Sequence, residues 1–259
     1  MLAYDTYAPT AVARHLHRAG QWDAALAVLG EGDPELRAEV LVDRHWWRLD
    51  DPAQAQSALD RLDPASPHTA LLRAQLAYIR LLFDREPLTD DAVTAEADFR
   101  TAASEEALRG WAMFWLGVFA DNVHLDPATA RRHYDESLSL ARSGGDLFLE
   151  SYVVRHLGDH ASASDPVEAE LLLRRSLHLR AALGARPQVA AAQAALAGVL
   201  PPGGERQTLL ELARVTAAEL DITACEMRSQ ANDRMTRMQS RDLGRRVTAN
   251  RRPARGPRR

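Results

Sequence analysis

A short pattern recurs along this chain and constrains its fold more than any other feature of the sequence. A small residue is followed four positions later by a large apolar residue, and three positions further on by another small or apolar residue. These spacings place all three residues on one face of an α-helix, which a second helix can approach at the small residue. The pattern therefore predicts closely packed helices. Its copies are Ala25/Leu29/Gly32, Ala55/Leu59/Leu62, Ala95/Phe99/Ala102, Ala130/Tyr134/Ser137 and Ala169/Leu173/Ser176.

Proline and glycine mark where the helices start and stop. Five Asp-Pro or Ser-Pro steps are predicted helix starts, because they put a capping oxygen at the helix start and Pro at the first helical position. Glycines follow the segments between these marks, as expected at helix C-termini. Apolar residues recur at spacings of three and four rather than two, so we expect an all-α protein without strands. The predicted starts are Asp33-Pro34, Asp51-Pro52, Ser66-Pro67, Asp126-Pro127 and Asp165-Pro166.

The last two copies of the pattern can be overlaid without a gap at an offset of 39 residues, and Leu116-Gly117 or Leu157-Gly158 lies upstream of each. Helix pairs that repeat in this way stack because one pair alone cannot bury its apolar face. The chain resembles the tetratricopeptide repeat (TPR) family, whose unit joins a Leu-Gly helix to an Ala-x3-[Phe/Tyr]-x2-Ala helix. The resemblance covers about residues 8 to 220, with segment 84–94 predicted as an inserted loop.

This resemblance implies a TPR-like antiparallel helix-pair solenoid of five or six units over residues 1–220. From Glu205 to about Arg246 the chain has no Pro, and small or apolar residues run along one face, so we expect one long helix. Its part over residues 221–246 is predicted to cap the stack, to project from it, or to pair with a second copy as a dimer. Residues 247–259 are predicted to be a disordered basic tail.

The composition excludes several kinds of chemistry. All 32 basic residues are Arg, and a chain without Lys lacks the phosphate-binding Lys of a P-loop, the strand Lys of a protein kinase and the nucleophile of a Schiff-base enzyme. The single cysteine, Cys225, rules out an internal disulfide and a zinc site built from cysteines. G-x-S-x-G and G-x-G-x-x-G motifs are also missing from the sequence. We therefore expect a protein that is not an enzyme and uses no cofactor.

Two features of the sequence concern its location. The N-terminus, MLAYDTYAPT, has no basic stretch followed by an apolar run, as a signal peptide would have. The longest strongly apolar run, Trp111 to Ala120, is shorter than the about 20 residues that a membrane-spanning helix needs, so it predicts a buried core helix. We expect a cytoplasmic protein that does not bind membranes.

The resemblance also implies where a partner binds. In TPR proteins the first helix of each unit lines a concave groove that receives a peptide or a partner helix. Aligning Leu116 and Leu157 with the family's Leu position sets the helical register of this groove. In that register its aromatic residues are either ligand contacts or core residues, whereas Asn122 and Arg155 are suited to binding a peptide backbone or carboxylate. The candidate groove residues are Trp111, Phe114, Asp121, Asn122, Tyr152, Arg155 and Asp159.

Two histidines one helical turn apart suggest a different kind of site. His156 and His160 have the spacing of two zinc ligands, but Leu157 stands where a zinc protease has its catalytic Glu. His124 and His133 complete such a site only if stacking brings them close. Histidines on a helix surface, without a metal, are the alternative interpretation.

Positive charge is concentrated at the C-terminal end of the chain. Residues 228–259 hold eleven Arg against Asp233 and Asp242, a net charge of +9, although the whole chain carries −4. Such an arm is suited to nucleic acid phosphates or to an acidic partner, but without interleaved aromatics it offers no base stacking. A solvated end and an arm bound to the acidic body of the same chain are the alternatives. The tail arginines are Arg245, Arg246, Arg251, Arg252, Arg255, Arg258 and Arg259.

Three functions remain open from the sequence. The leading hypothesis is a non-enzymatic scaffold or adaptor that binds a protein or peptide on the concave face of the helix array. The alternative is a sensor or regulator whose arginine-rich tail contacts nucleic acid or an acidic partner. A metal-binding protein at His156 and His160 is the lesser alternative.

Overall fold

The structure, a computed structural model, describes residues 9–223. Twelve α-helices follow one another in this range, and the range contains no strand, which confirms the predicted all-α class. A π-helical turn, Ala120–His124, continues the seventh helix. The helices are α1 (Pro9–Arg18), α2 (Trp22–Leu29), α3 (Pro34–Arg48), α4 (Pro52–Leu59), α5 (Pro67–Phe83), α6 (Asp91–Ala103), α7 (Glu106–Phe119), α8 (Pro127–Gly144), α9 (Leu147–Ala161), α10 (Pro166–Ala182), α11 (Arg186–Val199) and α12 (Gly204–Glu219).

The side chain of the preceding Asp caps four of the five predicted helix starts, whereas Ser66 before α5 forms no side-chain cap hydrogen bond. Helices α3, α4, α5, α8 and α10 each begin at the Pro that follows the predicted Asp or Ser, so these five starts are confirmed. Asp33 accepts from the backbone N–H of Leu36 at 3.1 Å, and Asp165 accepts from that of Glu168 at 3.0 Å. These bonds satisfy N–H groups that have no partner in the first turn of a helix.

Consecutive helices pack as pairs, each odd-numbered helix against the even-numbered helix that follows it. The first two residues of every predicted triplet lie on an even-numbered helix and are buried. Gly117 on α7 lies so close to α8 that an added Cβ would sit 2.6 Å from Cε1 of Tyr134. Gly158 on α9 faces Leu173 of α10 in the same way, at 3.0 Å. The Leu-Gly dipeptides and the triplets therefore meet within a pair, as the sequence predicts.

The two ends of the helix array meet at the C-terminal end of α3. The backbone N–H of Thr223 donates to the carbonyl oxygen of Trp47 at 3.0 Å. The guanidinium of Arg48 donates to the carbonyl oxygen of Leu220 at 3.1 Å. Leu220 and Ile222 also share a hydrophobic cluster with Trp47 and other residues of the first helices. Residues about 170 positions apart in the chain are thereby joined through both backbone and side chains.

A second contact between the ends lies at the turn between α1 and α2. A Cβ placed on Gly20 would lie 2.8 Å from the ring of Pro187 in α11 and 2.9 Å from the side chain of Leu220. Gly20 also has a positive φ of 76°, which L side chains rarely adopt, so glycine is required here for two reasons. The first and last helices thus close the array on itself.

The prediction of one long helix from Glu205 to about Arg246 is wrong for the part that lies within the described residues. Helix α12 ends at Glu219, and Asp221 takes a left-handed conformation with a φ of 55°. This turn brings Ile222 into the core formed with the first helices, where its burial favours ending the helix. The remainder of the predicted segments 221–246 and 247–259, with all seven tail arginines, lies outside the described residues.

The predicted inserted loop at 84–94 is shorter than expected, because α6 already begins at Asp91. The carboxylate of Asp91 is buried and accepts from Nε of Arg80 in α5 at 2.9 Å. This buried ion pair ties the start of α6 to the preceding helix, which sequence periodicity did not indicate.

None of the helices between residues 9 and 223 combines the length and the apolar character that crossing a bilayer requires.

We predict that Gly117→Ala destabilises the fold by about 1–3 kcal/mol, because the added methyl group would collide with the buried ring of Tyr134. Gly198→Ala is the matched control, since Gly198 lies in α11 with open space around its Cβ position and should gain about 0.5–1 kcal/mol of helix propensity. Urea unfolding followed by circular dichroism measures both. Equal effects of the two substitutions would contradict the close contact between α7 and α8.

Candidate functional site

The odd-numbered helices surround a cavity of about 390 Å³, which we call the central cavity. Each of α1, α3, α5, α7, α9 and α11 contributes at least one residue to its wall, whereas no even-numbered helix does. The first helix of every pair therefore faces inwards. The wall consists of Arg14, His17, Arg18, Glu39, Asp43, His68, Leu71, Leu72, Gln75, Leu108, Trp111, Trp115, Asp146, Phe148, Tyr152 and Gln188.

One side of the central cavity is aromatic and comes from α7 and α9. The ring of Tyr152 packs edge-on against Trp111 and Phe148, with centroids 5.3 Å and 5.2 Å apart. Trp111 is oriented by a hydrogen bond from its Nε1 to the carboxylate of Asp146 at 3.1 Å, and Asp146 also caps α9. Trp115 extends this side into the protein core. A flat apolar group would find several ring faces and edges here.

Another part of the wall of the central cavity is charged and comes from α1, α3 and the start of α5. Asp43 accepts hydrogen bonds from His17 at 3.0 Å, from Nε1 of Trp22 at 2.9 Å and from Nε1 of Trp47 at 3.1 Å. Its carboxylate therefore holds α1, α2 and α3 in position, because three donors converge on it.

Glu39 is the second carboxylate of this charged side. Its side chain lies 2.9 Å from Nε2 of His68 and 3.6 Å from the guanidinium of Arg14. The hydrogen bond with Glu39 raises the pKa of His68 above its ordinary value of 6.5, although burial acts in the opposite direction. The histidine therefore favours its charged form inside the cavity wall.

Several polar groups of the central cavity have unused hydrogen-bonding capacity. Nε1 of Trp115, Nδ1 of His68 and Oε1 of Gln188 are buried atoms without a hydrogen-bond partner between residues 9 and 223. Arg18 lies 5.4 Å above the ring of Phe148, and within residues 9–223 no carboxylate pairs with it. Buried polar groups are nearly always paired in proteins, so unpaired ones around a cavity indicate a place for a ligand or for ordered water.

The structure separates the seven predicted groove residues into three groups. Trp111 and Tyr152 line the central cavity. Phe114 is 1% exposed and, with Arg155, lines only a small pocket of about 30 Å³ behind the aromatic side, so core packing explains Phe114. Three of the seven lie away from the central cavity wall: Asp121, Asn122 and Asp159.

Asn122 and Asp159 bond to residues one helical turn away, whereas Asp121 bonds to neighbouring helices. Asn122 donates to the carbonyl oxygen of Val118 in the preceding turn at 2.9 Å, and Asp159 pairs with Arg155 at 3.1 Å. Asp121 lies in the π-helical turn after α7 and accepts from the hydroxyl of Tyr134 at 2.8 Å. Helical register alone placed them in the predicted groove, and Asp121 and Asn122 lie in a π-helical turn, where the α-helical register no longer holds.

His156 and His160 share a polar cluster with Tyr134 and Asp121. Nδ1 of His156 lies 3.2 Å from the hydroxyl of Tyr134, and Nε2 of His160 lies 2.8 Å from Asp121. Burial, with the nearby carboxylate of Asp121, raises the pKa of Tyr134, so its hydroxyl stays protonated. Both imidazoles thus have protein partners. Across residues 9–223, no three or more His, Cys, Asp or Glu side chains are grouped as metal ligands would be.

Sequence reasoning missed most of the cavity wall. Arg14, Arg18, Glu39 and His68 belong to helices without a Leu-Gly dipeptide, so no register could be assigned to them. Gln188 comes from the last pair and reaches the cavity only because the array closes on itself. The signal that could have found them is position: each lies in the first helix of a predicted pair.

Comparison of the chain with known protein families, with curated proteins and with solved structures gave no match.

We predict that the imidazole of His68 titrates above pH 6.5 and that Glu39→Gln lowers its midpoint, because the charged histidine loses its main partner. A raised folded-state pKa means that this pair stabilises the fold fully below about pH 6.5 and that the contribution is lost as pH rises through the folded-state value. NMR titration of the histidine ring signals measures the midpoint.

Glu35→Gln is the control for this titration, since Glu35 is exposed and lies 3.9 Å from His68. A midpoint at or below 6.5 in the unmodified protein, or equal shifts in both variants, would contradict the assignment.

Proposed function

We propose that this chain is a non-enzymatic recognition module, in which six helix pairs form a TPR-like array that receives a segment of a protein partner in the central cavity. The observation that carries the proposal is the origin of the cavity wall, which comes from the first helix of every pair and from no second helix. Repeat proteins bind their partners on such an inner surface.

The size of the central cavity favours a short extended segment. A volume of about 390 Å³ falls within the range of pockets for small ligands, about 300–1,000 Å³. An α-helix with its side chains is about 10–12 Å across, which is too wide for a cavity of this volume. The expected partner helix is therefore replaced in this proposal by a few residues of extended chain.

The side chains of the cavity wall are already held in position, and this favours a role of the cavity in binding a ligand. Asp43 and Asp146 fix the charged and aromatic sides through hydrogen bonds to tryptophan side chains. Because these side chains are already positioned, a ligand would lose little affinity to ordering the site. The arginine-rich tail, its nucleic acid or acidic partners, a dimer through the C-terminal segment and a cytoplasmic location remain predictions from the sequence.

We predict that a photoreactive residue, p-benzoylphenylalanine, at Leu108 in the cavity wall crosslinks one discrete partner segment in the native host. The same residue at Val167, which is 80% exposed on α10 outside the cavity, should not crosslink that segment. Mass spectrometry of the crosslinked peptides identifies it.

Gln75→Trp is the blocking control, because a bulky side chain at this wall position fills part of the cavity while the outer surface is unchanged. The crosslink from Leu108 should then disappear. Equal capture from both labelled positions, or a crosslink that survives Gln75→Trp, would contradict binding in the central cavity.

A further inference from the structure

We propose that the central cavity recognises an acidic residue followed by an aromatic residue inside a polypeptide, with the acidic side chain at Arg18 and Arg14 and the aromatic ring against Trp111 and Tyr152. This inference rests on the proposed function and names the chemistry of the segment that the cavity receives. Three properties of the cavity wall lead to it: its unused positive charge, its unpaired amide-binding atoms and its aromatic side.

The charges of the wall favour an anionic group. All three carboxylates already accept hydrogen bonds: Asp43 from His17 and two tryptophans, Glu39 from His68, and Asp146 from Trp111. A cationic ligand would have to share these carboxylates with the donors that already hold them.

The cations of the wall are less committed than the carboxylates. Arg18 has no carboxylate partner among the described residues, and Arg14 lies 3.6 Å from Glu39, beyond an ordinary hydrogen-bond length. Both side chains come from the same helix, four positions apart, and therefore lie on one face of α1. A carboxylate between them would gain charge-assisted hydrogen bonds without breaking any strong pair.

The unpaired atoms of the wall match a peptide group. Nε1 of Trp115 is a donor without an acceptor, and Oε1 of Gln188 is an acceptor without a donor. The two residues are 9% and 4% exposed, so water competes little for these atoms. A peptide bond supplies one carbonyl oxygen and one N–H, which are the complementary groups. This match favours a polypeptide over a simple aromatic acid, which has no amide.

The aromatic side supplies the remaining contact. Tyr152 is fixed against Trp111 and Phe148, and its hydroxyl accepts from Nε2 of Gln188 at 3.0 Å. The aromatic side therefore adjoins the atom of Gln188 that would bind the peptide group. An aromatic residue directly after the acidic one places its ring on this side while its backbone reaches Gln188 and Trp115.

The test is an NMR titration of the full chain with four small probes. N-acetyl-Glu-Trp-amide represents the internal segment, and N-acetyl-Gln-Trp-amide is its neutral match. N-acetyl-Gln-Trp with a free carboxylate represents a chain end, and indole-3-acetate represents a free small molecule. The readout is the indole N–H signal of Trp115, assigned by its loss in Trp115→Phe. A hydrogen bond to this free donor should move the signal downfield.

We expect N-acetyl-Glu-Trp-amide to bind at least about fivefold more tightly than each of the other three probes. In Arg18→Gln, N-acetyl-Glu-Trp-amide should bind no more tightly than N-acetyl-Gln-Trp-amide, and the affinity for N-acetyl-Gln-Trp-amide should be unchanged. Arg131→Gln is the matched control, because Arg131 is an exposed arginine on α8 whose one partner within the described part of the chain is Asp135, and it should change nothing.

Other results overturn the inference in distinguishable ways. Equal binding of the acidic and neutral amides would exclude recognition of the acidic side chain, while binding in the cavity, and with it the proposed function, would stand. Tighter binding of the chain-end probe or of indole-3-acetate would assign the site to a terminus or to a free anion. If no probe moves the Trp115 signal, the inference fails, and the crosslink from Leu108 decides separately whether the cavity binds a partner.

Discussion

Contact between the two ends of the helix array is the constraint on which the central cavity depends. Gly20 packs on Pro187 and Leu220, and the chain after α12 is hydrogen-bonded to the end of α3. Without these contacts the odd-numbered helices would form an open surface, and Gln188 would be far from α1. With them, the same helices line one cavity, whose wall brings Arg18, Tyr152 and Gln188 together.

The cavity is also coupled to the core through one row of aromatic rings. Trp46 of α3 packs edge-on against Trp115, which in turn stacks on Phe99, with centroids 5.6 Å and 6.0 Å apart. Trp115 thus has its ring in the core, and its buried N–H has no hydrogen-bond partner among residues 9–223. Leaving such a group unpaired costs about 1–3 kcal/mol, which the surrounding packing must offset. A ligand that accepts from this N–H would recover that free energy on binding.

The sequence predicts local structure here better than it predicts the site. The Asp-Pro starts and the Gly117–Tyr134 contact depend on residues close in the chain, and both patterns are confirmed. Closure depends instead on small rotations that accumulate over six helix pairs, which no local spacing reveals. Trp111 and Tyr152 were found through the family resemblance, whereas Arg18 was missed because its helix carries no Leu-Gly dipeptide to set the register. The direct continuation of α12 past Glu219 was mispredicted because of closure, since Ile222 packs in the core of the first helices.

The most direct test of closure is a nuclear Overhauser measurement between Gly20 and Leu220, 200 positions apart in the chain. A sample with labelled Leu methyl groups and glycine α-protons, diluted with unlabelled protein, restricts the signal to contacts within one molecule. Closure predicts cross-peaks between the α-protons of Gly20 and the methyl groups of Leu220, whose Cδ1 would lie 2.9 Å from an added Cβ. Absence of these cross-peaks, with those between α7 and α8 retained, would show an open array and contradict a cavity lined by all six pairs.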